Sequence, residues 1–220
     1  MKTLTVLVRV FFLFILTEND VLHICRFWYN LAKSKTFNRG FWMKKQWHIV
    51  EVLRQSRHDW LNKIQLIKGN LALNKLDRVK EIIEEIVIET QQEAKLTNLN
   101  ALEFAELLMT YNWQAQHFQL EYEVLGDVCD LSAYDEELAN WCRQFFYVLE
   151  EHADGNGENH LSISIEIEEN VRFFFDYSGT ITNASSVKEW ISSHMAGTAV
   201  FVETFEVHND EMTVVLKVIM

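Results

Sequence analysis

A chain of 220 residues with 49% hydrophobic content can bury one large core or two small ones, and it is too apolar to be disordered. Thirty-two acidic against twenty basic residues give a formal net charge of -12, which repels nucleic-acid phosphates, and no basic patch stands apart beyond residues 43–68. Cys25, Cys129 and Cys142 are too few and too irregularly spaced for a disulfide framework or a four-ligand zinc site, so reduced thiols in a cytoplasmic protein are expected. Proline is absent, so helices must end on glycine and polar turns.

Residues 3–16 form the most apolar run, yet they include Arg9 and fall short of the ~20 residues that span a bilayer. Glu18, Asn19 and Asp20 follow where a secretory signal would carry small residues for cleavage. No stable membrane insertion is expected. Composition breaks at Gly40, and Met43 precedes Lys44, Lys45 and Gln46, a natural opening for a long helix. Residues 1–42 are therefore read as an extension outside the working domain, with Met43 a candidate translation start.

From about Lys45 to Leu73 apolar residues recur with three-and-four spacing. Val50, Leu53, Trp60, Ile64, Ile67 and Leu71 form one stripe centred near Ile64. Asn74, Lys75 and Leu76 then make a short turn. Asp77 is placed to cap a second helix, whose stripe is Val79, Ile82, Ile83, Ile86 and Val87. Two long helices joined this tightly must run antiparallel, and their remaining apolar width calls for a second copy of the hairpin. A homodimeric four-helix bundle is expected.

Asn98 to His117 reads as further helix, ending near Trp113. The period then changes to two: Phe118, Leu120, Tyr122 and Val124 alternate with polar neighbours up to Gly126. Leu131–His152 returns to helix, with Leu138, Cys142, Phe145 and Leu149 on one face. Asp154–Asn159 is a glycine-containing loop. Strands follow at Leu161–Glu168, Val171–Tyr177, Ala199–Val207 and Met212–Ile219, with a short helix near Ser186–His194. The fold class is α+β: a helical hairpin over residues 43–116, then a mostly antiparallel sheet covered on one face over 117–220.

His58 stands roughly 120° around the first helix from the centre of its stripe, so it faces solvent rather than core. An exposed helix histidine is usually an ordinary surface residue. Here Asp59 follows it and Asn62 lies one turn on. Neutral imidazole offers a nitrogen lone pair near neutral pH, exposure lets a large partner reach it, and a carboxylate can orient the ring or stabilise its charged form. Asn62 can hydrogen-bond a transferred group. A phosphoryl group attached there meets no apolar wall.

The run Arg57-His58-Asp59-Trp60-Leu61-Asn62-Lys63-Ile64-Gln65-Leu66-Ile67 resembles the phosphoacceptor box of the sporulation initiation phosphotransferase B family, which is related to the dimerisation and phosphotransfer domains of sensor histidine kinases. The resemblance continues through Lys68-Gly69-Asn70-Leu71, Asp77-Arg78-Val79, Ile82, Glu84-Glu85-Ile86-Val87-Ile88, Leu120 to Gly126 and Asp130 to Asp135. It covers most of residues 47–135; the C-terminal third agrees more loosely, and residues 1–42 have no counterpart. It implies that His58 accepts a phosphoryl group from the aspartyl phosphate of a single-domain response regulator. From there the group passes to the receiver aspartate of a sporulation response-regulator transcription factor. It also implies catalytic roles for Asp59 and Asn62 and a docking surface over Arg57, Leu61, Gln65, Leu66 and Gly69. No cofactor is expected on this chain, and Mg2+ is expected from the partner's carboxylates.

The C-terminal domain resembles a degenerate histidine-kinase ATPase domain. The stretch Arg143 to Glu151 has none of the asparagine by which a kinase helix holds Mg2+, and Asp176-Tyr177-Ser178-Gly179-Thr180 lacks the repeated glycines of a nucleotide loop. The resemblance thus favours a phosphotransferase over two alternatives, an ATP-dependent sensor kinase and a non-catalytic dimeric scaffold. His152 and His160 flank the glycine loop without further ligands at metal spacing. Asp154, Asn156 and Glu158 fail as a calcium loop, because Asn159 and Ile165 stand where glycine and glutamate are needed. Of Phe173, Phe174 and Phe175, two are expected in the core and one facing solvent.

Overall fold

A computed structural model describes residues 48–219, except 115, 128, 196 and 198. The expectations for residues 1–47, among them the extension, the Met43 start and Cys25, lie outside the described residues. The chain divides into two units, residues 1–54 and 55–220.

Helix α1 spans Ile49–Ala72 and α2 spans Leu76–Thr97. The turn between them is a Schellman motif: the Lys75 N–H donates to the Asn70 carbonyl at 2.9 Å and the Asn74 N–H to that of Leu71 at 3.0 Å. Asn74 sits in the left-handed region at φ 60, which asparagine tolerates. Asp77 is not the cap of α2. Lys75 holds that position and makes no side-chain cap bond, while Asp77 falls in the first turn, where its charge still suits the helix dipole.

The third helix is shorter than its sequence pattern implied. Helix α3 covers only Leu102–Tyr111, because the Leu99–Asn100 segment breaks the pattern with Asn100 at φ 58. Its buried Phe104, Ala105, Leu108 and Tyr111 belong to the core of the sheet, so the sheet's helical layer begins before residue 117.

Strand β1 is Gln119–Gly126, α4 is Asp135–His152, β2 is His160–Ile167 and β3 is Val171–Ser178. Helix α5 is Ala184–Ser193, β4 is Val200–Val207 and β5 is Glu211–Val218. The region expected as helix from Leu131 begins with a 3-10 turn, Ser132–Tyr134, before α4. The sheet order is β1-β2-β3-β5-β4, with β1 parallel to β2 and every other pair antiparallel.

One sheet face carries fully buried Ile163, Ile165, Phe173, Phe175, Val214 and Leu216 against α3, α4 and α5. Phe174 points to the other face and is half-buried, as the alternation required. A register shift between Val202 and Thr204 changes the phase of β4. Val200 and Val202 are buried before it, and Phe205 and Val207 pack on the core after it, opposite Val214 and Met212.

Asp135 ties two helices into this core. Its carboxylate accepts the Glu103 and Phe104 N–H groups, both at 2.9 Å, and so caps α3 from 31 residues away in the chain. The Phe104 ring then meets Phe173 edge-on at 5.5 Å. Among the described residues no helix is long and apolar enough to cross a membrane, and Cys129 and Cys142 are free thiols.

Candidate functional site

The phosphoacceptor candidate lies in the middle of α1, far from either end, so its backbone is fixed by the helix ladder. The His58 side chain is 65% exposed and that of Asp59 is 41% exposed. His58 Nδ1 lies 3.4 Å from an Asp59 carboxylate oxygen and 3.2 Å from the Asn62 amide nitrogen. These contacts ask for opposite tautomers. An Asn62 N–H donor needs the Nδ1 lone pair, whereas the Asp59 carboxylate needs a proton on Nδ1. With Nδ1–H directed at Asp59 and the Asn62 amide turned to present its oxygen, the lone pair is on Nε2, which is the form a nucleophilic imidazole requires.

At about 100° per residue, Asn62, Gln65 and Gly69 lie within roughly 40° of His58 on one line along the helix. Leu61 and Leu66 flank the line, 51% and 57% exposed. An added Cβ at Gly69 would meet nothing within 4 Å, so the surface there is open to close approach. Asn70 donates to the Leu66 carbonyl at 2.9 Å and stays off this face. Arg57 is exposed but stands roughly 100° from His58, within the arc of the apolar stripe and about 20° from Ile64, rather than on the histidine's line. The structure thus groups His58, Asp59, Asn62, Leu61, Gln65, Leu66 and Gly69, and sets Arg57 apart.

The stripe itself is uncovered in the single chain. Trp60, Ile64 and Leu71 on α1 are 49%, 54% and 48% exposed, and Ile83 and Val87 on α2 are 46% and 49% exposed. Only Val79 and Ile82 of the second stripe are buried near the turn. Lys63 carries no distinguishing signal in the sequence. Its Nζ meets Glu89 of α2 at 2.5 Å and lies 5.6 Å above the Trp60 ring, tying the two helices near the histidine's level.

Among the described residues no three His, Cys, Asp or Glu side chains stand together as a metal set. The glycine loop is a strand connector held by Asn159, which donates to the His117 and Asp154 carbonyls at 2.8 and 2.7 Å and accepts the Thr180 N–H at 3.0 Å. Helix α4 is longer than the stretch compared with a kinase helix and includes Asn140, whose amide oxygen accepts from Arg143 at 3.0 Å. Arg143 in turn pairs with Glu103 at 2.8 Å.

A long hairpin bearing an exposed histidine, followed by a one-sided α/β layer, is the plan of a sensor-kinase-type phosphotransfer protein. Residues 43–99 match the family described as the sensor kinase SpoOB-type alpha-helical domain, and residues 100–219 match the C-terminal domain of sporulation initiation phosphotransferase B. The sporulation initiation phosphotransferase B of Bacillus subtilis is 43% identical over 141 residues, which is 63% of this chain and 73% of that protein. The chain belongs to the sporulation initiation phosphotransferase B family, and with it to the phosphorelay phosphotransferases.

Among solved structures, the histidine kinase ThkA in complex with the response regulator TrrA is similar at a TM-score of 0.33 and 16% identity, over 76% of this chain and 60% of that one. A blue-light activated histidine kinase of Erythrobacter litoralis is similar at 0.36 and 8% identity, over 80% of this chain and 61% of that one. This chain therefore spans less than two thirds of either kinase.

Proposed function

We propose that His58 carries a phosphoryl group from the aspartyl phosphate of a single-domain response regulator to the receiver aspartate of a second, sporulation-regulating response regulator. The observation that carries this reading is the placement of His58: a side chain 65% exposed in mid-helix, with Nδ1 held between Asp59 and Asn62, which leaves Nε2 as the nitrogen for the phosphoryl group. In the first step the Nε2 lone pair attacks phosphorus, the P–O bond to the donor carboxylate breaks, and the carboxylate leaves with the electron pair. Nδ1 keeps its proton, so the ring becomes a cation, and the Asp59 carboxylate stabilises that charge. The second step is the reverse, with the acceptor carboxylate attacking the phosphohistidine. Mg2+, which the regulator's own carboxylates would hold, would supply neutralisation of the phosphoryl oxygens. Docking falls on Leu61, Gln65, Leu66 and Gly69, and Arg57 lies outside that face.

The uncovered stripe supports a homodimer. Its apolar side chains stand about half exposed, and burying each remaining half is worth on the order of 1 kcal/mol, so a second hairpin gains several kcal/mol per chain. The resulting four-helix bundle leaves the His58 line outside.

The test is incubation with a phosphorylated receiver domain and Mg2+. Label that is acid-labile and base-stable, and that is lost in His58→Gln, is the expected result. Absence of such label on the wild type removes the transferase reading. Labelling by ATP with no partner present would favour a kinase instead.

A further inference from the structure

His58 meets two neighbours at one ring nitrogen, and they make opposite demands on it. The Asp59 carboxylate, 3.4 Å from Nδ1, only accepts, so it favours a proton on Nδ1 and a free electron pair on Nε2. The Asn62 amide nitrogen, 3.2 Å from the same atom, only donates, so in this orientation it favours the pair on Nδ1 and the proton on Nε2. Asn62 is the one of the two that suits either state, because turning its amide over brings the oxygen to Nδ1. The ring thus has two settings. With Asn62 donating, Nε2 carries the proton and has no pair to attack phosphorus. With Asp59 accepting and Asn62 turned, Nε2 is nucleophilic.

Neither setting dominates in the free protein. The His58 and Asp59 side chains are 65% and 41% exposed, so their pair is weakened by water, and an exposed neutral bond from an amide is of similar strength. The two populations then differ by less than about five-fold. Covering the site breaks the tie. When water is displaced the local dielectric falls, and a bond to an ionised carboxylate gains more from that than a neutral one. Around α1, Asn62 stands about 40° from His58, Leu66 about 80° and Asp59 about 100°, all on one flank. A body seated on His58 and Leu66 therefore covers Asp59 as well.

We propose that Asn62 is a specificity-determining residue: it holds a share of His58 in the unreactive tautomer until a receiver-sized partner covers the site, and the covering moves the ring onto Asp59 and makes Nε2 the nucleophile. In that change one proton leaves Nε2 for water, one reaches Nδ1 from water and the Asn62 amide turns over, with no change of net charge. A small phosphoryl donor leaves Asp59 hydrated and meets the mixed ring, whereas a receiver meets the reactive form. The partner shifts the tautomers only by as much as it strengthens one bond over the other. The gate rests on His58 being the phosphoacceptor.

The experiment reads the ring nitrogen chemical shifts of the histidine-labelled full-length chain at about pH 8, where imidazole is neutral. The chain has eight histidines, and the signals lost in His58→Gln assign the one that matters. Free wild type is expected to show both tautomers. Saturation with a receiver domain carrying beryllofluoride in place of the phosphoryl group is expected to raise the ratio of Nδ1–H to Nε2–H about five-fold. Asn62→Ala and Asn62→Asp both remove the donor, and each is expected to raise that ratio about two- to five-fold in the free chain. Asn62→Ala should also be phosphorylated faster by phosphoramidate, by the factor by which its Nδ1–H fraction has grown. A single tautomer in free wild type, a ratio that the receiver leaves unmoved, or a shift in Asn62→Ala that Asn62→Asp does not share overturns the gate. Slower labelling of Asn62→Ala by phosphoramidate overturns it too, since the amide would then be meeting the phosphoryl group itself. A wild type that takes up no phosphoryl group from a phosphorylated receiver fails the phosphoacceptor reading and the gate with it, whereas a competent wild type beside unmoved nitrogen shifts fails the gate alone.

Discussion

Replacing Asp59 by alanine isolates the part the carboxylate plays at His58. In the structure it stands 3.4 Å from Nδ1, beyond the usual 2.7–3.2 Å range for such a bond, and the two side chains are 65% and 41% exposed. A pair in that setting is worth about 0–1 kcal/mol. If its task is to hold the proton on Nδ1 and steady the ring cation, its loss lowers the reactive population by at most about five-fold, since 1.4 kcal/mol corresponds to a factor of ten. Rapid-quench single-turnover uptake of phosphate from a saturating phosphorylated receiver reads this directly. The expected result for Asp59→Ala is a rate reduced two- to five-fold, with nitrogen chemical shifts of His58 moving toward the tautomer protonated on Nε2. A loss of a hundred-fold or more, about 2.7 kcal/mol, would refute the reasoning. It would mean that Asp59 meets the phosphoryl group or the partner rather than the ring.

Three further outcomes follow from other parts of the molecule. Asp135→Ala removes both acceptors at the start of α3, a loss of about 1–2 kcal/mol for an N-cap, and Tm should fall by about 2–8 °C in a chain of this size while transfer per folded molecule is unchanged. Glu93 is raised above the ordinary carboxylate range, first by burial and then by the nearby Glu89, with Lys63 opposing. Its folded pKa exceeds its unfolded one, so its contribution is full below the unfolded value of about 4.3 and is lost as pH rises through the folded value. Glu93→Gln should accordingly raise Tm at pH 7 and give no gain at pH 4, as thermal melts at the two pH values will show. Ile64→Glu places a charge in the exposed stripe; sedimentation equilibrium is expected to find dimer for the wild type and monomer for the variant, with α-helical content retained.

The sequence by itself determined the local structure and the exposed histidine. Three-and-four spacing from Val50 to Leu71 requires a helix whatever lies around it, and the same arithmetic turns His58 away from the stripe. Alternation in Leu161–Glu168 and Val171–Tyr177 likewise yields strands with Ile163, Ile165, Phe173 and Phe175 inside. These properties repeat every two or three-and-a-half residues, so each is written within one element. Tertiary structure alone decided the rest. Asp135 rather than Asp77 is the aspartate that caps a helix, because the cap of α3 is supplied across 31 residues of chain, while α2 starts before Asp77 and leaves it in the first turn. Asn100 delayed the start of the third helix to Leu102, and the slip between Val202 and Thr204 rephased β4 to keep both halves on one core. Gln92 and Lys95 read as two more polar residues of a helix surface. Their partner is the backbone of an edge strand about thirty residues on, and no side chain at Val124 announces that its main chain will be gripped. Hydrogen-bond partners distant in sequence are chosen by where the packed layers bring the chain, and that choice is made only when the core has formed.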